Sequence, residues 1–170
     1  YRELKARAFG SFCFQGILRI MESKLTLFHY WRSSCSWRVR MALNWKSIPV
    51  QYVHVNLLDG EVDGAEHRAR NPGGYVPTLR LDSKHQEPVF LSESVAILEW
   101  LEETSPARPL LPSSALERAI TRQMVELVNS GIQPLQNINV LDRLEELQKS
   151  PEIRTTWTVE WIARGLTAYE

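Results

Sequence analysis

Four short segments between residues 24 and 91 have the pattern and composition of β-strands. Residues 24–30 and 50–56 are rich in β-branched and aromatic residues, which predicts two strands. Residues 75–81 predict a third strand with a proline near its start. After a polar turn at 83–88, residues 89–91 predict a short fourth strand.

Three helices are predicted between and after these strands. The first covers about residues 35–46 and places its apolar residues on one side, Trp45 among them. A second, charged helix ends before Pro72, because proline disfavours helical backbone in the residue that precedes it. The third covers 92–103, with Ser92 as the predicted capping residue.

The resulting order, β-α-β-α-β-β-α, predicts an α/β fold with a mixed four-stranded sheet. The first two strands are joined through a helix and should be parallel, whereas the last two are joined by a short turn and should be antiparallel. Small polar residues at the start of the first helix complete the layout of a thioredoxin-like domain, which we place at residues 24–104. Three prolines between residues 104 and 113 indicate a linker over 105–113.

Residues 114–170 predict helices throughout and form a partial all-helical domain. Ser114 and Glu117 have the spacing of a capping box, and Pro134 should kink the long helix that follows. Pro151 marks a further helix start. Because about 60 residues of helix leave their apolar stripes uncovered, we expect this helical domain to be truncated.

Residues 1–23 are predicted to be an extension outside the fold. They combine the basic residues Arg2, Lys5 and Arg7 with a short, interrupted apolar stretch. A targeting peptide is one interpretation of this pattern. The favoured one is that Met21 is the natural start and that the preceding residues do not belong to the fold.

Composition excludes several classes of function. Twenty basic and twenty acidic residues balance, so the net charge favours neither a nucleic acid nor a membrane surface as partner. Two cysteines form no disulfide framework and favour a reducing compartment, either the cytoplasm or the mitochondrion. The four histidines are scattered without the spacing of a metal site, so no metal is predicted.

The segment RSSCSWRVR, residues 32–40, places three serines and a cysteine where the first strand leads into the first helix. The amino terminus of a helix stabilises anions and thiolates through its unpaired N–H groups and its dipole. A hydroxyl group of Ser33 or Ser34 could therefore lower the pKa of a bound thiol by donating a hydrogen bond to its thiolate. The alternative is that the serines only cap the helix and that Cys35 is a small residue facing inward.

Several motifs occur together in one order: RSSCSWRVRMAL, NP followed by VPTL, SESVAILEWLEE, RPLLP and SGIQPLQN. In order and spacing they resemble the zeta-class glutathione transferases, and within that class the maleylacetoacetate isomerase branch. The resemblance covers about residues 24–170. It implies glutathione as cofactor, a homodimer, and a small acidic substrate of the maleylacetoacetate type.

The resemblance also assigns roles to individual residues. It implies that Ser33 activates the glutathione thiol with the help of Ser34 and Cys35, and that Val76 precedes a cis-proline and pairs its backbone with that of glutathione. Other positions are implied to contact glutathione as well: Ser36, Trp37, Arg38, Glu93, Ser94, Gln133, Asn137 and Asn139.

Alternatives remain for most of these positions. Pro77 could be a trans-proline at the start of a strand, Ser94 could be a cap residue, and the amides around Pro134 could satisfy freed backbone groups. Arg38 and Arg40 either steer an acidic substrate or pair with helix acids at the surface.

The activity implied by the resemblance is the glutathione-dependent cis–trans isomerisation of maleylacetoacetate to fumarylacetoacetate. Two alternatives are a general transferase or haloacid-dehalogenating enzyme of the same fold, and a binding protein without turnover.

Overall fold

A computed structural model describes residues 24–84 and 86–170 of the chain. The predicted extension at 1–23 therefore lies outside the described residues, as does His85. The chain divides into two units, the first ending at Leu110 and the second comprising Leu111–Glu170. The division falls within the predicted linker, and the domain bounds themselves stay a prediction.

A four-stranded mixed sheet organises the first unit. Its strands are β1 (Lys24–His29), β2 (Gln51–His54), β3 (Thr78–Ser83) and β4 (Gln86–Leu91), in the spatial order β2-β1-β3-β4. Strands β1 and β2 are parallel, whereas β3 is antiparallel to both β1 and β4. The predicted topology is thus confirmed.

Three helices connect or follow these strands: α1 (Ser34–Trp45), α2 (Ala65–Arg70) and α3 (Ser94–Thr104), with a 3₁₀ turn at Glu61–Asp63 before α2. The order β-α-β-α-β-β-α is that of the predicted thioredoxin-like fold. Helices α1 and α3 pack against each other beside the sheet.

The predicted ends of the strands differ from those in the structure, by one or two residues in β1 and β2 and by up to three in β3 and β4. Strand β3 begins at Thr78 because Pro77 has no N–H with which to join the ladder. Strand β4 begins at Gln86, well before its apolar residues, because the pairing of Gln86 with Ser83 extends the hairpin into the polar segment. The predicted turn of six residues is therefore much shorter.

The start of α3 also differs from the prediction. Its N-cap is Glu93, which makes no side-chain capping bond, so Ser92 is not the cap. Glu93 has a φ of 64°, a left-handed backbone that is uncommon for a residue with a side chain. This backbone reversal fixes where the helix begins.

Two apolar clusters cover the two faces of the sheet. One joins the sheet to α1 and α3 through Leu25, Leu27, Val39, Ala42, Leu43, Leu79, Ile97 and Leu101, and the other contains Phe28, Tyr30, Val55 and Val76. Trp45 was predicted to share the buried side of α1, but it is 58% exposed. It follows Leu43 by two residues, which is about 200° around a helix.

A buried ion pair joins the carboxyl end of α1 to α3. The Lys46 ammonium lies 2.9 Å from the Glu102 carboxylate, with side chains 0% and 9% exposed. Lys46 also donates to the backbone carbonyl of Ser105 at 2.7 Å, and the same Glu102 carboxylate accepts from the N–H of Leu110 at 2.8 Å. The pair therefore anchors the segment that leads out of the first unit.

The second unit is helical, as predicted. It contains α4 (Ala115–Asn129), a 3₁₀ turn (Gln133–Gln136), α5 (Ile138–Gln148) and α6 (Glu152–Tyr169). Pro134 does more than kink a long helix, because α4 ends before it and α5 begins after it. Ser114 is the N-cap of α4, but its side chain makes no capping bond, so the predicted capping box does not form.

The second unit is held together by close contacts around Ile132, which is its one buried apolar residue among those described. Ile132 packs against Gly165 of α6, where a Cβ atom would overlap the isoleucine side chain. The indole N–H of Trp157 donates to the Leu135 carbonyl at 2.7 Å. Apolar side chains such as Leu147 and Leu166 are more than half exposed, as the half-covered stripes of the sequence predict.

The stability of the first unit should depend on the protonation of His29, the last residue of β1. Burial, together with the positive charges of Arg40 and His54, lowers the pKa of His29 below its ordinary value of 6.5. Below about pH 6.5 the unfolded chain therefore binds the proton more readily than the folded chain. Above that pH we expect the protonation of His29 to cost no stability. Below it, the free energy of unfolding should fall as the pH drops towards the pKa of His29 in the folded state.

Denaturant unfolding at a series of pH values measures this dependence. A His29→Phe variant should show a shallower decline as the pH falls below about 6.5, since it lacks the group whose pKa is lowered. Equal slopes for the parent and the variant would contradict the assignment to His29.

Candidate active site

Ser33 lies at the N-cap of α1, directly after the loop that follows β1. Its backbone N–H donates to the Tyr30 carbonyl at 3.1 Å, which closes a turn between strand and helix. Its Oγ accepts a hydrogen bond from the N–H of Ser36 at 3.1 Å, and its side chain is partly exposed. The capping role is therefore present in the structure.

Capping does not prevent Ser33 from acting on a ligand. A hydroxyl group has two acceptor lone pairs and one donor hydrogen, and the cap occupies only a lone pair. The O–H of Ser33 therefore remains a donor, on a partly exposed side chain at the positive end of α1. The two interpretations of this serine, cap and thiol activation, are compatible.

The next residues of α1 differ in their access to solvent. Ser34 and Trp37 are exposed, and Cys35 is partly buried. Ser36 is fully buried, so its side chain offers no surface to a ligand, and the glutathione contact that the resemblance implies stays a prediction. Its contribution is the N–H that the cap of Ser33 uses.

The electrostatic surroundings of this helix start favour a negative charge. The first turn of α1 carries no acidic residue. Arg32 lies over the ring of Trp31, 5.7 Å from its centroid, and Arg40 donates to the Trp31 carbonyl at 3.0 Å. Basic side chains and a helix amino terminus are the surroundings that lower thiol pKa values.

Arg38 connects two of the predicted contact regions. Its guanidinium donates to Ser94 Oγ at 2.8 Å, which links the first turns of α1 to the first residue of α3. Ser94 is buried, and its hydroxyl hydrogen stays available as a donor because Arg38 uses only a lone pair. Glu93 beside it is exposed. A carboxylate ligand would thus meet a guanidinium and a helix amino terminus here.

Val76 and Pro77 are joined by a cis peptide bond, as the resemblance implies. Val76 precedes β3, and its side chain is buried in the second apolar cluster. The carbonyl of Tyr75, one residue earlier, accepts from Asn71 Nδ2 at 2.9 Å and lies 3.0 Å from His67 Nε2. The sequence motifs assign no role to His67 or Asn71, although their spacing of four residues at the end of a helix places them on one face.

The remaining predicted contact residues belong to the second unit. Gln133 opens the 3₁₀ turn, Asn137 is the N-cap of α5 without a side-chain capping bond, and Asn139 lies in its first turn. Their role in binding glutathione stays a prediction. Within residues 24–84 and 86–170 no three metal-binding side chains cluster, and no helix has the length and apolar character needed to cross a membrane.

Comparison with known proteins identifies relatives of the chain. Residues 32–104 match the family model of the glutathione S-transferase N-terminal domain. The maleylacetoacetate isomerase of Dictyostelium discoideum is 41% identical over 151 residues, which are 88% of this chain and 67% of that protein. A zeta-class glutathione S-transferase from Euphorbia esula is 45% identical over 86% of this chain and 63% of its own length.

Among solved structures, a maleylacetoacetate isomerase from Anaeromyxobacter dehalogenans 2CP-1 has glutathione bound in its active site. It superposes with a TM-score of 0.78 at 44% identity, over 87% of this chain and 67% of that one. The chain thus spans about three fifths to two thirds of the length of the curated relatives that it matches.

Proposed function

This chain belongs to the zeta class of glutathione S-transferases, and from that membership we propose that its first unit binds glutathione and isomerises maleylacetoacetate to fumarylacetoacetate. The observation that carries the proposal is the hydroxyl of Ser33, which keeps a donor hydrogen while it caps α1. The residues present fit glutathione, since a thiolate, a carboxylate and a peptide backbone each find a complementary group in the first unit.

Ser33 would hold the sulfur of glutathione as a thiolate. Bound glutathione supplies a nucleophile that adds reversibly to the conjugated cis double bond, so that this bond can rotate before the sulfur leaves. Ser33 donates its hydroxyl hydrogen to the sulfur, and the dipole of α1 favours the negative charge. Ser34 and Cys35, in the same first turn, assist Ser33 in stabilising the thiolate.

Arg38, Glu93 and Ser94 would hold the γ-glutamyl end of glutathione. The carboxylate of that end can accept from Ser94 and from the first N–H groups of α3, while the exposed Glu93 can accept from its ammonium group. Arg38 keeps Ser94 in place through the bond of 2.8 Å. Val76, ahead of the ladder of β3, would pair with the peptide backbone.

The remaining parts of the proposal concern the setting of the enzyme. The substrate is a small acidic molecule, the protein works as a homodimer, and its compartment is the cytoplasm, with the mitochondrion as the alternative. The low cysteine content supports a reducing compartment, and the relatives named maleylacetoacetate isomerase support the substrate class. The homodimer rests on the family resemblance.

Glutathione binding should be measured first and isomerase turnover second. We expect the chain to be retained on immobilised glutathione and eluted by the free tripeptide, and to isomerise maleylacetone when glutathione is present. Loss of retention would overturn the proposal. Retention without turnover would favour a binding protein, and activity on a dihaloacetate but not on maleylacetone would favour a dehalogenating enzyme.

A further inference from the structure

Two buried side chains converge on one backbone carbonyl beside the predicted glutathione-binding segment. His67 is 3% exposed and Asn71 is 5% exposed. Both reach the carbonyl of Tyr75, His67 through Nε2 at 3.0 Å and Asn71 through Nδ2 at 2.9 Å. A carbonyl oxygen only accepts, so the Nε2 atom of His67 carries a proton and donates it.

These two bonds fix the orientation of the next amide group. The peptide bond between Tyr75 and Val76 is planar and trans. The cis bond that occurs among the described residues is the next one along the chain, Val76–Pro77. In a trans unit the N–H of Val76 points away from the carbonyl of Tyr75. Two donors that hold the carbonyl therefore aim the N–H of Val76 in the opposite direction.

The surrounding loop is braced in the same way. The Asn71 Oδ1 atom accepts from the N–H of Gly73 at 3.0 Å, and Arg68 donates to the Pro72 carbonyl at 2.7 Å. The guanidinium of Arg68 also covers Gly74, whose φ is 69°. Val76 is thus held rigidly, although the pairing of β1 with β3 runs only from Thr78 onwards.

We propose that His67 and Asn71 are positioning residues for glutathione, because they aim the Val76 N–H at a carbonyl of the tripeptide. This inference rests on the proposed function, in which Val76 pairs with the ligand backbone. A recognition group that is fixed before binding costs less conformational entropy when the ligand arrives. Loss of either donor should weaken glutathione binding without slowing the chemical step.

The test compares matched variants at His67 by calorimetric titration with glutathione. Because His67→Leu keeps the approximate volume but removes the donor, we expect the dissociation constant for glutathione to rise about tenfold, the scale of one lost hydrogen bond. His67→Gln can place an amide N–H at similar reach and should stay within about threefold of the parent. In turnover assays KM for glutathione should rise with kcat unchanged.

A second measurement separates aiming from a general loss of structure. Glutathione analogues with a thioamide at one or the other peptide bond accept hydrogen bonds more weakly at that position. One analogue carries the thioamide at the carbonyl to which Val76 donates. For that analogue, the loss of binding free energy caused by the thioamide and the loss caused by His67→Leu should be less than additive. If the losses of binding free energy from His67→Leu and from the thioamide were additive for both analogues, the inference would be overturned.

Failure of the inference is distinguishable from failure of the proposed function. If the parent chain does not bind glutathione, the proposed function fails and the inference falls with it. If the parent binds and a folded His67→Leu variant binds equally well, only the inference fails. Should His67→Leu not fold, Asn71→Asp decides by the same titrations, because it keeps the acceptor for Gly73 and loses the donor to Tyr75.

Discussion

Replacement of Ser33 by alanine is expected to lower isomerase activity by about tenfold or more, the loss typical of removing one donor to a developing or stabilised anion. The variant lacks the hydroxyl hydrogen that holds the sulfur as a thiolate. It also lacks the cap on Ser36 N–H, which should cost about 1 kcal/mol of stability. Steady-state kinetics and denaturant unfolding measure the two effects separately.

Two further substitutions at the same position separate capping from catalysis. Ser33→Asp restores an oxygen that can accept from the N–H of Ser36, but its carboxylate has no hydrogen to donate and repels a thiolate. It should recover stability while activity stays low. Ser33→Thr retains both functions and should keep most of the activity. Full activity in the aspartate variant would show that Ser33 acts only as a cap.

Replacement of Lys46 by methionine is expected to destabilise the first unit by about 3–5 kcal/mol, the usual cost of leaving one buried charge without its partner. The ammonium is fully buried, and it contacts the carboxylate of Glu102 and the carbonyls of Ser105 and Arg108. The substitution leaves the buried Glu102 carboxylate without its counter-charge and removes one donor from each of the two carbonyls. The free energy of unfolding in urea, followed by circular dichroism, measures the loss.

An exposed ion pair provides the matched control. Arg143 and Glu146 lie 2.9 Å apart on α5, but both side chains are about two thirds exposed. Removing Arg143 should cost less than about 1 kcal/mol. In a double variant, Lys46→Met with Glu102→Leu, the loss should be smaller than the sum of the single losses, because no charge is left unpaired. Equal effects at the buried and exposed pairs would contradict this account.

The order and direction of the strands could be predicted from sequence because each depends on local patterns and on the length of the connections. The helix over α1 and the antiparallel hairpin follow from apolar spacing and from a short turn. The ends of β3 and β4 could not be predicted in the same way, since Gln86 joins its strand only through pairing with Ser83. The left-handed backbone of Glu93 likewise follows from tertiary context.

The candidate site was predictable where chemistry and local structure coincide. Ser33 has a hydroxyl at a helix start, and that combination is visible in the sequence. The support of Val76 by His67 and Asn71 was not predictable, because it depends on how a loop folds back over the end of α2. Burial of Ser36 was predictable but missed, because Ser36 precedes Val39 by three residues and Leu43 by seven and therefore lies on the apolar side of α1.

The pKa of the thiol of glutathione bound to the chain would test this account most directly. Ultraviolet titration of the thiolate in the complex should give a value well below the 8.5 or so of a free cysteine thiol, and Ser33→Ala should move it back towards that value. An unchanged thiol pKa in the parent complex would contradict the proposal that the start of α1 and the Ser33 hydroxyl activate the sulfur.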